Sequence, residues 1–179
     1  MSSALAAPYI SVEEYLRGDY EPACEYVDGV LEPKPMGDKK HSALQTELIF
    51  FLRGEAIKFS LWVRTELHMR TAARRFRIPD VAVFAYPVEG ERFAENAPLF
   101  TIEVLSPEES LKTLRAKIAD QLSMGTSLVI VADPHSRTVY TARPGLGFHE
   151  VAPPLTVSID VPERGTLAID FDELFRLLD

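Results

Sequence analysis

Two carboxylates stand where surface charge does not belong. Asp80 follows Pro79 and opens the apolar run Val81-Ala82-Val83-Phe84, and Glu103 is enclosed by Ile102 and Val104. An acid inside an apolar strand is costly unless a cation or hydrogen bonds compensate it. If the two strands are neighbours, about 4.8 Å apart, acids near their matching ends can share one divalent ion. Magnesium takes oxygen ligands, commonly one or two carboxylates, with water and substrate phosphate in the other positions. Such an ion acidifies a water molecule and stabilises the charge that develops on an attacked phosphodiester. Spacing alone also allows a plainer arrangement, in which Asp80 caps a turn and Glu103 pairs with a nearby arginine. Lys117 is the third group. It lies on the helical stripe Thr113, Lys117, Gln121, beside Leu114 and Ile118. An ammonium there can reach the sheet end and neutralise phosphate charge, or can run its stem over the apolar surface with its head in water.

Charge sets a second constraint. With 19 Lys and Arg against 27 Asp and Glu, the formal net charge is −8. An acidic chain is a poor generic binder of nucleic acid, because phosphate affinity comes from cations that displace counterions. Between Arg64 and Arg77, however, the chain gathers Arg64, Arg70, Arg74, Arg75 and Arg77 against the single acid Glu66. This window reads as a phosphate-facing arm built on Arg70, Arg74, Arg75 and Arg77, or as a solvated hairpin. Other chemistry is thin. His41, His68, His135 and His149 are dispersed without zinc-ligand spacing, and there is no phosphate-binding glycine loop or serine nucleophile elbow. The lone Cys24 cannot form an internal disulfide and reads as a structural thiol.

Several elements must position these groups. Ser11 and Glu14 form a capping box that opens a short helix. Glu25 to Glu32 reads as two strands around the Asp28-Gly29 turn. A long helix runs from near Asp38 to about Lys58, with Leu44, Leu48, Phe51 and Leu52 on one face. Alternation from Leu61 to Arg70 predicts one strand, followed by buried strands at 79–84 and 99–105. A helix from about Pro107 to Met124 stops at Gly125. The apolar run from Ser127 to Ala132 suits a covered strand, and Asp133-Pro134-His135-Ser136 turns it into another at 137–142. Edge strands and a helix capped by Asp170 close the chain. The order helix, three strands, helix, strand predicts a layered α/β fold with a mixed central sheet flanked by helices.

At 179 residues, 46% hydrophobic and 26% charged, the sequence reads as one globular domain spanning 1–179. Its apolar runs fall far short of the roughly 20 residues a membrane span needs. The opening residues lack a basic start and a long apolar stretch, so no signal peptide is expected, and a cytoplasmic protein without membrane contact is the default.

The ordered series of motifs resembles the PD-(D/E)XK nuclease superfamily and, within it, the Uma-type restriction endonucleases of bacteria. The matching stretches are Glu25-Tyr26-Val27-Asp28-Gly29, His41 at a helix start, Arg77-Ile78-Pro79-Asp80-Val81-Ala82-Val83 and Ile102-Glu103-Val104-Leu105-Ser106-Pro107. Lys117, Gly125 and Val131-Ala132-Asp133-Pro134 continue the series, so the likeness spans about residues 11 to 142. It implies a restriction-endonuclease-like core and a Mg²⁺- or Mn²⁺-dependent phosphodiesterase site acting on DNA. By resemblance, Asp80 and Glu103 are metal-binding acids and the Val104 carbonyl is a further ligand. Lys117 replaces the lysine missing at Leu105, and Glu25 and His41 are additional polar positions near the site. Thr113, Gln121 and Ile130 stand where the family usually has an acid, a tyrosine and a tryptophan.

Two classes of function therefore compete. One is an endonuclease in which Asp80, Glu103 and Lys117 carry catalysis. The other is a non-catalytic nucleic-acid or protein-interaction module that keeps the fold, favoured by Thr113 and Gln121. A purely structural homo-oligomer is a third possibility, and because pairing into a homodimer or higher homo-oligomer fits every one of these readings it discriminates none.

Overall fold

In the computed structural model, which describes residues 9–178, the chain begins α1 (Val12–Arg17), β1 (Cys24–Val27), β2 (Val30–Pro33) and α2 (Lys39–Phe59). Then come β3 (Trp62–Thr65), β4 (Met69–Ala72), β5 (Arg75–Arg77), β6 (Val81–Phe84), β7 (Phe100–Val104) and α3 (Leu111–Met124). The remainder is β8 (Leu128–Asp133), β9 (Thr138–Arg143), β10 (Gly147–Glu150), β11 (Thr156–Val161), β12 (Gly165–Asp170) and α4 (Phe171–Arg176). The opening segment from Met1 to Pro8, read above as lacking a signal peptide, lies outside the described residues. No helix among those described is long and apolar enough to cross a membrane.

A six-stranded mixed sheet, ordered β10-β9-β8-β7-β6-β3, forms the centre. The expected order of helix, three strands, helix, strand is realised in it as α2, β3, β6, β7, α3 and β8. Antiparallel β6 and β7 are neighbours, and α3 is the crossover joining β7 to its parallel partner β8. Period-two alternation divides the faces. Val81, Val83, Phe100, Ile102, Leu128 and Ile130 share the main core with Leu44, Leu48 and Leu52 of α2 and with apolar residues of β11, β12 and α4. On the opposite face Val129 and Val131 pack against Leu114 and Ile118 of α3.

The stretch expected as a single strand from Leu61 to Arg70 is instead two strands in different sheets. Glu66 takes a left-handed conformation, φ 51°, and breaks the run. β3 stays on the edge of the central sheet, whereas β4 joins a second, four-stranded sheet ordered β2-β1-β5-β4. α3 also starts later than expected, at Leu111, because the Ser110 hydroxyl accepts the Thr113 amide and sets the cap there. Of the closing strands expected at the sheet edge, β10 lies there, whereas β11 and β12 pair with each other in a separate two-stranded sheet. The capping and turn signals form as read. Ser11 and Glu14 make the reciprocal capping box, Asp38 caps α2, and Asp28 and Gly29 turn the β1–β2 hairpin with positive φ. Gly125 ends α3 at φ 113°, a conformation that favours glycine.

Candidate functional site

Register brings the two acids together. Val81 pairs with Ile102 and Ala82 with Thr101 across β6 and β7, so Asp80 and Glu103 stand opposite each other one position further along. Both belong to the alternate set that faces away from α2, on the side α3 covers. Asp80 is 3% exposed and Glu103 2%. The backbone stitches the pair, because the Val104 amide donates to Asp80 Oδ2 at 2.7 Å.

Each acid has its own compensation. Lys34 Nζ lies 3.1 Å from Asp80 Oδ1 and 2.6 Å from Glu66 Oε2. His41 Nε2 approaches Asp80 Oδ2 at 3.4 Å from the first turn of α2. Burial pushes the Asp80 carboxyl up, but His41, the Lys34 ammonium and the Val104 amide outweigh it and hold it below the usual carboxylate range. Glu103 goes the other way. Its burial and the neighbouring Asp80 charge raise it above the ordinary value, against the pull of Lys117. Gln121, two turns along the stripe from Thr113, donates to Glu103 Oε1 at 2.5 Å and accepts from the Thr101 hydroxyl at 2.5 Å. Two acids with opposite shifts in one site are a recurring arrangement in acid–base and metal chemistry.

Lys117 does not snorkel. It is 2% exposed and pairs with Glu109 at 2.8 Å, while Glu25 lies 3.9 Å away. Desolvation opposes its charge, but Glu103, Glu25 and Glu109 together raise its pKa. A chamber of about 10 Å³ is lined by Lys34, His41, Asp80, Glu103, Val104, Ser106, Glu109 and Lys117, among others. That is close to the room one water or one ion occupies. It adjoins a groove of about 330 Å³ that Lys34, His41 and Asp80 also line, with Ser42, Gln45 and Glu66 on its walls. A larger cavity of about 360 Å³, beside Tyr15, Tyr20, Cys24, His68 and Arg92, touches neither acid. The site is distinguished by its chemistry, not its volume. Cys24 is buried, and burial pushes its thiol up, as suits a structural cysteine.

The arginine window splits. Arg77 is 1% exposed and held by Glu25 at 2.8 Å, Glu32 at 2.7 Å and Asp120 at 2.8 Å, so it braces the protein interior and is not available to a phosphate. Arg75 is clamped between Asp28 and Asp120, each at 2.7 Å. Arg70 and Arg74, beside the β4–β5 turn, remain exposed, with Arg74 over the Tyr9 ring. Glu25 also accepts the Ile78 amide at 2.9 Å, which makes it an anchor for the segment leading to Asp80. Lys34, Glu109 and Asp120 are not singled out in the sequence reading, and Glu66 figures there only as the one acid of the arginine window. Lys34 sits between Pro33 and Pro35 in a stretch with no periodicity, and its contact to Asp80 spans 46 residues. Glu109 lies in the loop before α3, eight residues ahead of Lys117, and that helical register was its one signal.

Among the described residues, no group of three or more His, Cys, Asp and Glu side chains is arranged to hold a metal. The protein thus offers an acid pair, the number of carboxylates that magnesium commonly takes, and all its donors are hard oxygens.

The model of a family described as "Uma2: Putative restriction endonuclease" matches residues 12–165. Among solved structures, the chain is similar to a crystal structure from Anabaena variabilis described as a putative nuclease belonging to DUF820. The identity is 29% and the TM-score 0.82, covering 95% of this chain and 99% of the other. No curated protein matches the chain.

Proposed function

The chain belongs to the Uma2 family and has a restriction-endonuclease-like fold, and from that premise we propose that it cuts DNA phosphodiester bonds with Mg²⁺ or Mn²⁺ held by Asp80 and Glu103. The observation that carries this reading is the acid pair facing itself across β6 and β7 beside an ion-sized chamber, with the Lys117 ammonium on the wall. The Val104 carbonyl is the further ligand this reading assigns. When bound, the ion supplies positive charge against the attacked phosphate and acidifies a water.

The chain's own residues do the rest. Gln121 fixes one oxygen of Glu103 and so aims the other toward the chamber. Lys117, kept charged by three surrounding acids, faces the position where negative charge grows on phosphorus-bound oxygen and stabilises it. Glu109 and Glu25 hold that ammonium in place, and the Arg77 brace fixes Glu25 in turn. His41 orients Asp80 from the helix side. Arg70 and Arg74 are the cations left at the surface of the arm for duplex phosphates, on an otherwise acidic body. Two-fold pairing of the cytoplasmic protein belongs to the same reading, because one site cuts one strand at a time.

A nicking assay on supercoiled plasmid tests this reading. Wild type should nick with Mg²⁺ and with Mn²⁺, and Lys117→Ala should lose about 10²–10³ in rate, the loss typical of removing one donor aimed at a developing charge. Asp80→Asn should be partly rescued by excess Mn²⁺. Equal background nicking by wild type and both variants would exclude the enzyme and favour a non-catalytic binding module.

A further inference from the structure

Asp80 has two oxygens, and they are held in different ways. Oδ2 accepts the Val104 amide at 2.7 Å, a backbone contact fixed by the sheet. Oδ1 is met by Lys34 Nζ at 3.1 Å, the terminus of a flexible four-carbon stem. A divalent ion that reaches Oδ1 must move that ammonium first. Lys34 has somewhere to go. Its nitrogen is already 2.6 Å from Glu66, whose side chain is 49% exposed at the groove mouth. Gln45 holds Glu66 in turn, donating to it at 3.1 Å and to the Asp80 carbonyl at 3.2 Å. Pro33 and Pro35 stiffen the backbone on both sides, so the displacement falls on the side chain.

The two lysines also face different spaces. Lys34 lines both the small chamber and the outer groove, whereas Lys117 lines only the chamber. A phosphate arriving through the groove therefore meets Lys34 first.

We infer that Lys34 is a second, groove-facing lysine of this site, which neutralises Asp80 until a divalent cation takes that carboxylate and then turns its ammonium to a backbone phosphate in the groove. The inference rests on the metal-site reading above. It predicts opposite signs for two affinities. Without Lys34, Asp80 loses its resident counter-charge and becomes a better cation ligand, while the groove loses a phosphate contact.

Isothermal titration of Mn²⁺ into wild type and Lys34→Met should give affinity about tenfold tighter in the variant, since a buried carboxylate left without its partner gains most from a new cation. Binding of a short DNA duplex in Ca²⁺, which takes the same oxygen ligands, should weaken, and its salt slope should fall by about 0.9. Lys34→Gln, which keeps a hydrogen bond but no charge, gives the same pair of shifts if the apolar variant does not fold. Weakening of both affinities would make Lys34 a structural brace and overturn the inference. So would unchanged Mn²⁺ affinity or unchanged duplex affinity. Asp80→Asn separates the two levels. If wild type binds Mn²⁺ and Asp80→Asn binds it far more weakly, the metal site stands whatever Lys34 does. If wild type binds none, the metal site and the role of Lys34 fail together.

Discussion

Glu103 combines complete burial with a carboxyl raised above its ordinary value, and that combination reaches into stability. In the unfolded chain the group ionises above about pH 4.5, whereas in the metal-free fold it keeps its proton to higher pH. The folded state then binds more protons than the unfolded state, so this group's contribution to stability falls as pH rises above that value. Glu103→Gln has no proton to lose and still fits the Thr101–Gln121 chain. Its melting temperature relative to wild type should climb between about pH 5 and about pH 8. Parallel melting curves over that range would mean that Glu103 is ionised throughout in the folded protein. At this scale the sequence is informative where an acid interrupts an apolar run, which is how Asp80 and Glu103 declare themselves. It is silent where partners come from distant, aperiodic segments. Gln121 illustrates the difference. Spacing marks it as a departure from the family pattern, but only the register of α3 over β7 makes it the hydrogen-bond donor to Glu103.

Elements position the site through one buried cation. Arg77 at the end of β5 joins Glu25 of β1, Glu32 of β2 and Asp120 of α3, so the second sheet and the crossover helix are tied together behind the acids. Removing the cation leaves Glu25 with only the Lys117 ammonium 3.9 Å away and Asp120 with only the half-exposed Arg75, and breaking a buried pair of this kind typically costs about 3–5 kcal/mol. Arg77→Met should therefore lower the unfolding free energy by about that amount in a urea titration. A loss under about 1 kcal/mol would place the pair in the class of weak surface bridges. The helices and hairpin were readable because caps and turns are local chemistry: Ser11 with Glu14, Asp38, Asp28-Gly29, Gly125. The partition of strands between two sheets was not. Alternation from Leu61 to Met69 runs on past Glu66, and nothing local marks the left-handed residue where the chain leaves the central sheet. The same ambiguity drew Arg77 into a surface arm, although its carboxylate partners lie 43 to 52 residues away in sequence.

For the whole molecule, the main sheet supplies a rigid floor and α3 a lid, and the acid pair sits where they meet the second sheet. An overall charge of −8 disfavours indiscriminate DNA binding, so under the proposed function local cations such as Lys34, Arg70 and Arg74 would set where a duplex docks. The account depends on the two carboxylates acting on one ion. The direct measurement is anomalous diffraction from crystals of the wild-type protein grown in saturating Mn²⁺. The predicted result is a single strong peak within about 2.0–2.6 Å of a carboxylate oxygen from both Asp80 and Glu103. No peak between them, or a peak held by neither acid, would contradict the account.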